Sequence, residues 1–93
     1  RYQLLNAQQL APGHAGDVTM VLCTLQPGCS SSGKMVSHLY TEVCFVIAGR
    51  IRALRAGGEE LLGPGDTIRV TPGVLHDFYN VGDAPAVVLA VTF

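Results

Sequence analysis

Three side chains of this 93-residue chain are of types that bind transition metals, and they stand where short extended segments begin. His38 and Glu42 are four residues apart across the start of one segment, and His76 opens a later one. Two imidazoles and one carboxylate suit Fe, Mn, Ni, Cu or Zn, and a set of only three protein ligands leaves positions on the ion open to a small molecule. Each of the three follows a turn, so each would sit at a strand end, where the mouth of a barrel offers a natural site. A buried Glu42 would be costly without a cation beside it, which favours the ligand reading. The bland alternative for each histidine alone is a satisfied structural imidazole. His14, in a glycine-rich loop, reads as solvated rather than as a fourth ligand. No Ser-His-Asp or Cys-His arrangement stands out, and Gly57–Gly58 reads as a hairpin turn rather than a phosphate loop.

The elements that must position these residues are short runs punctuated by Gly, Pro, Asp and Asn. Strands are expected at Tyr2–Leu5, Val18–Leu25, Met35–His38, Glu42–Ile47, Ile51–Leu54, Leu61–Leu62, Thr67–Val70, His76–Asn80 and Ala86–Phe93, with Ala11–Asp17 and Pro27–Gly33 as loops. Val18–Leu25 is apolar on both faces and is expected to be buried. No window of eleven or more residues carries helical periodicity. Many short strands with Gly/Pro turns point to a single all-β domain over residues 1–93, a small sandwich or barrel.

Side-chain alternation extends the site. If His76 faces inward, Phe78 and Asn80 do so too, and Asp77 and Tyr79 face outward. If Glu42 faces inward, Cys44 and Val46 follow, and Val36 shares the face of His38. Val36, Cys44 and Phe78 would give the metal an apolar wall, with Asn80 on the same face, and Tyr40 could donate a hydrogen bond at the mouth. Val46 reads as plain core, and Cys44 reads as a small buried hydrophobe rather than as a ligand. Arg50, Arg52 and Arg55 read as a solvated strand face before a binding site for an anionic ligand.

Two linked patterns resemble the cupin superfamily. His38, Glu42 and Gly49 match the second half of its first motif; Gly65, Gly73, His76 and Asn80 match its second motif, with Pro72 one place beyond the usual proline position. The resemblance spans nearly the whole chain. It implies a double-stranded β-helix, or jelly-roll barrel, and a metal held by His38, Glu42 and His76. One departure matters: the first histidine of the family pattern falls at Val36, so the implied set is two histidines and one glutamate. The segment from Pro27 to Asn80 also resembles cupin domains fused to helix-turn-helix regulators. Two functions follow from the resemblance: a metal-dependent oxygenase or isomerase acting on a small polar molecule, or a ligand-sensing domain of a transcriptional regulator without catalysis.

Composition sets the surroundings. Charged residues make up 14% of the chain, against about 25% in an average domain. With 48% hydrophobic residues, some apolar surface should be covered by a partner, and a homodimer is expected. The net charge of −1 and the lack of a basic run argue against direct nucleic-acid binding. No run of 18 apolar residues is present to form a membrane-spanning helix. No signal peptide is expected at the N-terminus. Cys23, Cys29 and Cys44 are an odd number without CxxC spacing, which fits a reducing cytoplasm.

Overall fold

A computed structural model of the chain describes residues 2–6 and 18–93. The expected loop at Ala11–Asp17 and His14 within it lie outside the described residues. Eight strands follow one another: β1 (Tyr2–Asn6), β2 (Thr19–Leu25), β3 (Glu42–Ala48), β4 (Ile51–Arg55), β5 (Gly58–Leu62), β6 (Thr67–Val70), β7 (His76–Asn80) and β8 (Ala86–Thr92). No helix occurs among the described residues. The strands form a five-stranded sheet in the order β1-β2-β8-β3-β6 and a three-stranded sheet in the order β5-β4-β7, every pair antiparallel. This is the all-β double-stranded β-helix that the strand pattern and the resemblance implied.

The core lies between the sheets. Cys44, Val46, Ile51, Ala53, Val70 and Ala86 are each no more than 2% exposed. They come from β3, β4, β6 and β8, so chain-distant strands must pair before any of this apolar surface leaves water. The chain crosses between sheets at tight turns. At Gly49 φ is +87°, in the left-handed region that side chains other than glycine disfavour. That turn joins β3 of the large sheet to β4 of the small one.

Three segments depart from the pattern read in the sequence. Met35–His38 is not a strand; only Val36 pairs, in an isolated antiparallel bridge to His76. Ser30 makes a similar bridge to Tyr79, and residues 31–35 form a loop between the two anchor points. The free edge of β7 is thus covered at two points rather than by a continuous strand. Leu61–Leu62 is the end of a longer strand, β5, whose Glu59 and Glu60 pair with Arg52 and Arg55 of β4. Those arginines therefore decorate a solvated face, as expected. Thr19–Leu25 is half-buried rather than fully buried, since only Cys23 and Leu25 are closed off from solvent.

Candidate metal centre

Glu42 opens β3 and His76 opens β7, so the two come from opposing sheets. Paired backbone hydrogen bonds between Thr41 and Phe93 extend the β3–β8 ladder past Glu42 and hold that strand end in place. His76 is fixed likewise, its N–H and C=O both bonded to Val36, at 2.8 and 2.9 Å. His38 lies in the loop ahead of β3, where its carbonyl accepts the Gly73 N–H at 2.8 Å. Strand ends and a tied loop thus carry the three side chains to one place.

Their donor atoms lie within 4.8 Å of one another. One Glu42 oxygen is 3.7 Å from His38 Nε2, and the other is 3.6 Å from His76 Nε2. These gaps are too wide for hydrogen bonds. They are close to the ~3 to 3.5 Å that separates neighbouring ligand atoms about 2.1 Å from a shared ion. His76 Nδ1 lies 2.9 Å from the Val74 carbonyl. A carbonyl can only accept, so Nδ1 carries the proton and the Nε2 lone pair is left for a metal. The Cys44 thiol donates to Glu42 Oε1 at 3.3 Å and helps orient the carboxylate. Burial, reinforced by the Glu42 charge, pushes the Cys44 thiol well up from its ordinary pKa. It therefore stays S–H, as the reading of Cys44 as a buried small residue implied. The donor set, its spacing and its tautomer fit one divalent ion.

The trio stands on the wall of a cavity of about 370 Å³ between the sheets. The His76 and Glu42 side chains are 4% and 12% exposed, while His38 is 28% exposed, so the site opens on the His38 side. Tyr40 stacks on the His38 ring, with centroids 4.8 Å apart, and lines the cavity. Cys44 and Phe78 line it too, and the Phe78 ring lies 5.7 Å from that of His76.

Two of the five expected pocket residues are placed elsewhere. Asn80 faces inward but does not line the cavity. Its side-chain N–H groups donate to the carbonyls of Leu25 and Ala84, and its oxygen accepts the Gly82 N–H, all within 2.9 Å. The carboxamide is fully occupied closing the far end of the barrel. Val36 pairs directly opposite His76, yet it is not part of the cavity wall. Its contribution is the pair of backbone hydrogen bonds that hold His76.

Asp77 follows the alternation on β7 but does not meet solvent. It points away from the cavity but is 3% exposed, not solvated. One carboxylate oxygen accepts from Ser31 Oγ at 2.8 Å, the Ser32 N–H at 3.1 Å and the Phe78 N–H at 2.9 Å. The loop that buries it contributes Ser31 and Ser32 to the cavity wall. An acidic residue beside a strand-opening histidine, with three serines far off in sequence, gave no signal of this partnership. Asp77→Ala should destabilise the fold by about 2–3 kcal/mol, because two backbone N–H groups and a hydroxyl lose a shared acceptor. Asp77→Asn, which keeps an acceptor oxygen, should lose about half as much. Urea denaturation of the two variants checks this; equal losses would mean that the carboxylate's hydrogen bonds are not what holds the loop.

Residues 21–92 match the family described as "Cupin domain". A Cupin 2 conserved barrel domain protein from Salinispora arenicola superposes with a TM-score of 0.78 at 23% identity, covering 99% of this chain and 75% of its own. A sugar phosphate isomerase from Silicibacter pomeroyi superposes with a TM-score of 0.73 at 28% identity, covering 98% of this chain and 58% of its own. Oxalate oxidase superposes with a TM-score of 0.82 at 18% identity; 99% of this chain and 49% of that one are covered. No match is found among curated proteins. The matched span holds strands of both sheets and all three converging side chains, and the chain belongs to the cupin family.

Proposed function

We propose that this protein binds one divalent transition metal, Fe, Mn, Ni, Cu or Zn, through His38, Glu42 and His76 and presents it to a small molecule in the cavity. The observation that carries this reading is the convergence of three donor atoms within 4.8 Å on the cavity wall. A bound ion would supply a Lewis acid for a ligand oxygen. The chain's own residues then have distinct tasks. His76, held by Val74 and Val36, keeps its Nε2 aimed at the site; Cys44 steadies Glu42; Tyr40 packs on His38 and flanks the entrance. Elemental analysis of purified protein should find close to one metal equivalent per chain. Failure to take up any of the five metals after incubation would overturn the reading.

One observation bears on turnover. Among the described residues that line the cavity, Tyr40 and two buried thiols, Cys23 and Cys44, are the only titratable groups besides the proposed ligands. That suits the sensing role of a regulatory domain as well as an oxygenase or isomerase working chiefly through its metal. Product analysis of metal-loaded protein with a ligand identified by binding separates the two, since a sensor returns the ligand unchanged.

We also propose a homodimer. Phe45 and Ile47 on the outer face of β3 are 40% and 48% exposed. On the same face lies a cross-strand row of Leu22, Leu89 and Phe45. The proposed dimer covers these residues, with β1 or β2 taking part. Light scattering at high micromolar concentration should report twice the chain mass, and a monomer there would refute the proposal. No helix among the described residues is long and apolar enough to cross a membrane.

A further inference from the structure

We propose that the molecule bound in this cavity carries a single metal-binding oxygen group, with at most one negative charge, on a hydrocarbon body. The proposal rests on the metal reading above and adds the class of ligand. Two features of the cavity carry it.

The first is the order of side chains along the large sheet. Register places Thr19, Thr92 and Glu42 in one cross-strand row. The next row inward is Val21, Ala90 and Cys44, and the one after it contains Cys23 and Val88. All of these except Glu42's row are apolar or thiol. On the opposing sheet, Phe78 lies two residues inward from His76. On the two sheets polarity is thus confined to the metal end; beyond it the only hydroxyls among the described lining residues are those of Ser31 and Ser32 on the loop beside Phe78, and Ser31 Oγ already donates to Asp77. A polar body such as a sugar would lose most of its hydrogen bonds to water there, with only this one loop to replace them. A hydrocarbon chain or ring gains from the same surroundings. At about 370 Å³ the chamber is at the small end of ligand sites.

The second is charge. No Lys or Arg is among the described residues lining the cavity. Arg52 and Arg55 pair with Glu59 and Glu60 on the solvated face of the small sheet. A divalent ion held by neutral His38 and His76 and by anionic Glu42 leaves one net positive charge. One carboxylate or enolate neutralises it. A second negative charge on the ligand would have to enter the apolar chamber with no cation to meet it.

The test pairs ligands of equal length. Protein loaded with Ni²⁺ is titrated calorimetrically with acetate, butyrate and hexanoate, and with succinate and adipate. Affinity should rise about fourfold per added methylene until the chamber is full. Succinate should bind at least about tenfold more weakly than butyrate, and adipate than hexanoate, because their second carboxylate is driven into apolar surroundings. Ala90→Leu fills the chamber one row inward from Glu42, and should abolish the gain with chain length in protein that still takes up Ni²⁺. Val88→Ala, which enlarges the chamber, should move the optimum to a longer chain. Affinity independent of chain length, or dicarboxylates matching monocarboxylates, overturns the proposal. The metal-free protein is examined in parallel with butanol and hexanol by thermal shift. If Ni²⁺ does not bind but hexanol stabilises more than butanol, and Ala90→Leu removes the difference, the metal reading fails and the apolar chamber stands. If neither series responds to length, the chamber fails as well.

Discussion

His76→Ala is expected to cost the protein its metal, weakening binding by more than about a hundredfold. That is the upper end of the loss seen when only a hydrogen-bond partner of a ligand is removed, and here a ligand itself goes. The geometry makes His76 the strongest anchor of the three. It is 3% exposed, its ring is oriented by the Val74 carbonyl, and its backbone is pinned on both sides by Val36. His38, on a loop and more exposed, has more freedom to be replaced by water. His38→Ala should therefore weaken binding less than His76→Ala does. The fold should survive both changes, because the backbone hydrogen bonds of β7 do not depend on the imidazole. Calorimetric titration with Zn²⁺, alongside far-ultraviolet circular dichroism, checks both points. An affinity for His76→Ala within about threefold of the parent, in a folded protein, would remove His76 from the site.

Gly49→Ala should be the most damaging single methyl that can be added at any of the described glycines. Its Cβ would lie 2.7 Å from both Cα and Cβ of Ala86, at the start of β8. Real Cβ contacts are never so short, and the obstacle is backbone rather than a side chain that can swing away. Ala86 is itself fully buried and paired with Leu25 of β2, so it cannot retreat without disturbing that ladder. The left-handed φ of +87° adds roughly 1–2 kcal/mol for a residue with a Cβ. Together the two effects should exceed about 4 kcal/mol, the range of exceptional single substitutions. A domain this small has little stability to spare, so the variant should lose its cooperative unfolding transition. Gly57→Ala is the matched control: φ is +95°, but nothing lies within 4 Å of the added methyl. It should cost only the backbone term. If urea denaturation gives the two variants similar stability, close packing at the β3–β4 turn is not what requires glycine there.

These two substitutions also mark the division between what sequence and structure each decide. Gly49, Glu42, His38 and His76 were all legible in the chain. Residue chemistry named the ligands, turn residues marked the strand ends, and the linked motifs supplied the barrel. Alternation along a strand is a local property, so it correctly sent Cys44, Val46 and Phe78 inward. It gave the direction of a side chain but not what a distant segment would do with it. Asp77 faces away from the cavity as alternation requires, but the Ser30–Gly33 loop, more than forty residues earlier, folds over it and makes an outward position a buried one. Asn80 faces inward as alternation requires, yet its hydrogen bonds to Leu25, Gly82 and Ala84 commit it to closing the barrel's end. Met35–His38 has the residues of a strand, but its partner edge on β7 accepts it only at Val36. The sequence by itself determined which side chains could bind a metal and that short antiparallel strands would carry them, because donor chemistry and period-two patterning reside in the residues. Only the tertiary structure decided which polar groups are spent on the fold, how deep the largely apolar chamber runs behind the candidate ligands, and that no cation among the described residues lines it, because burial and hydrogen-bond partnership are set by segments that meet only when the two sheets close on each other.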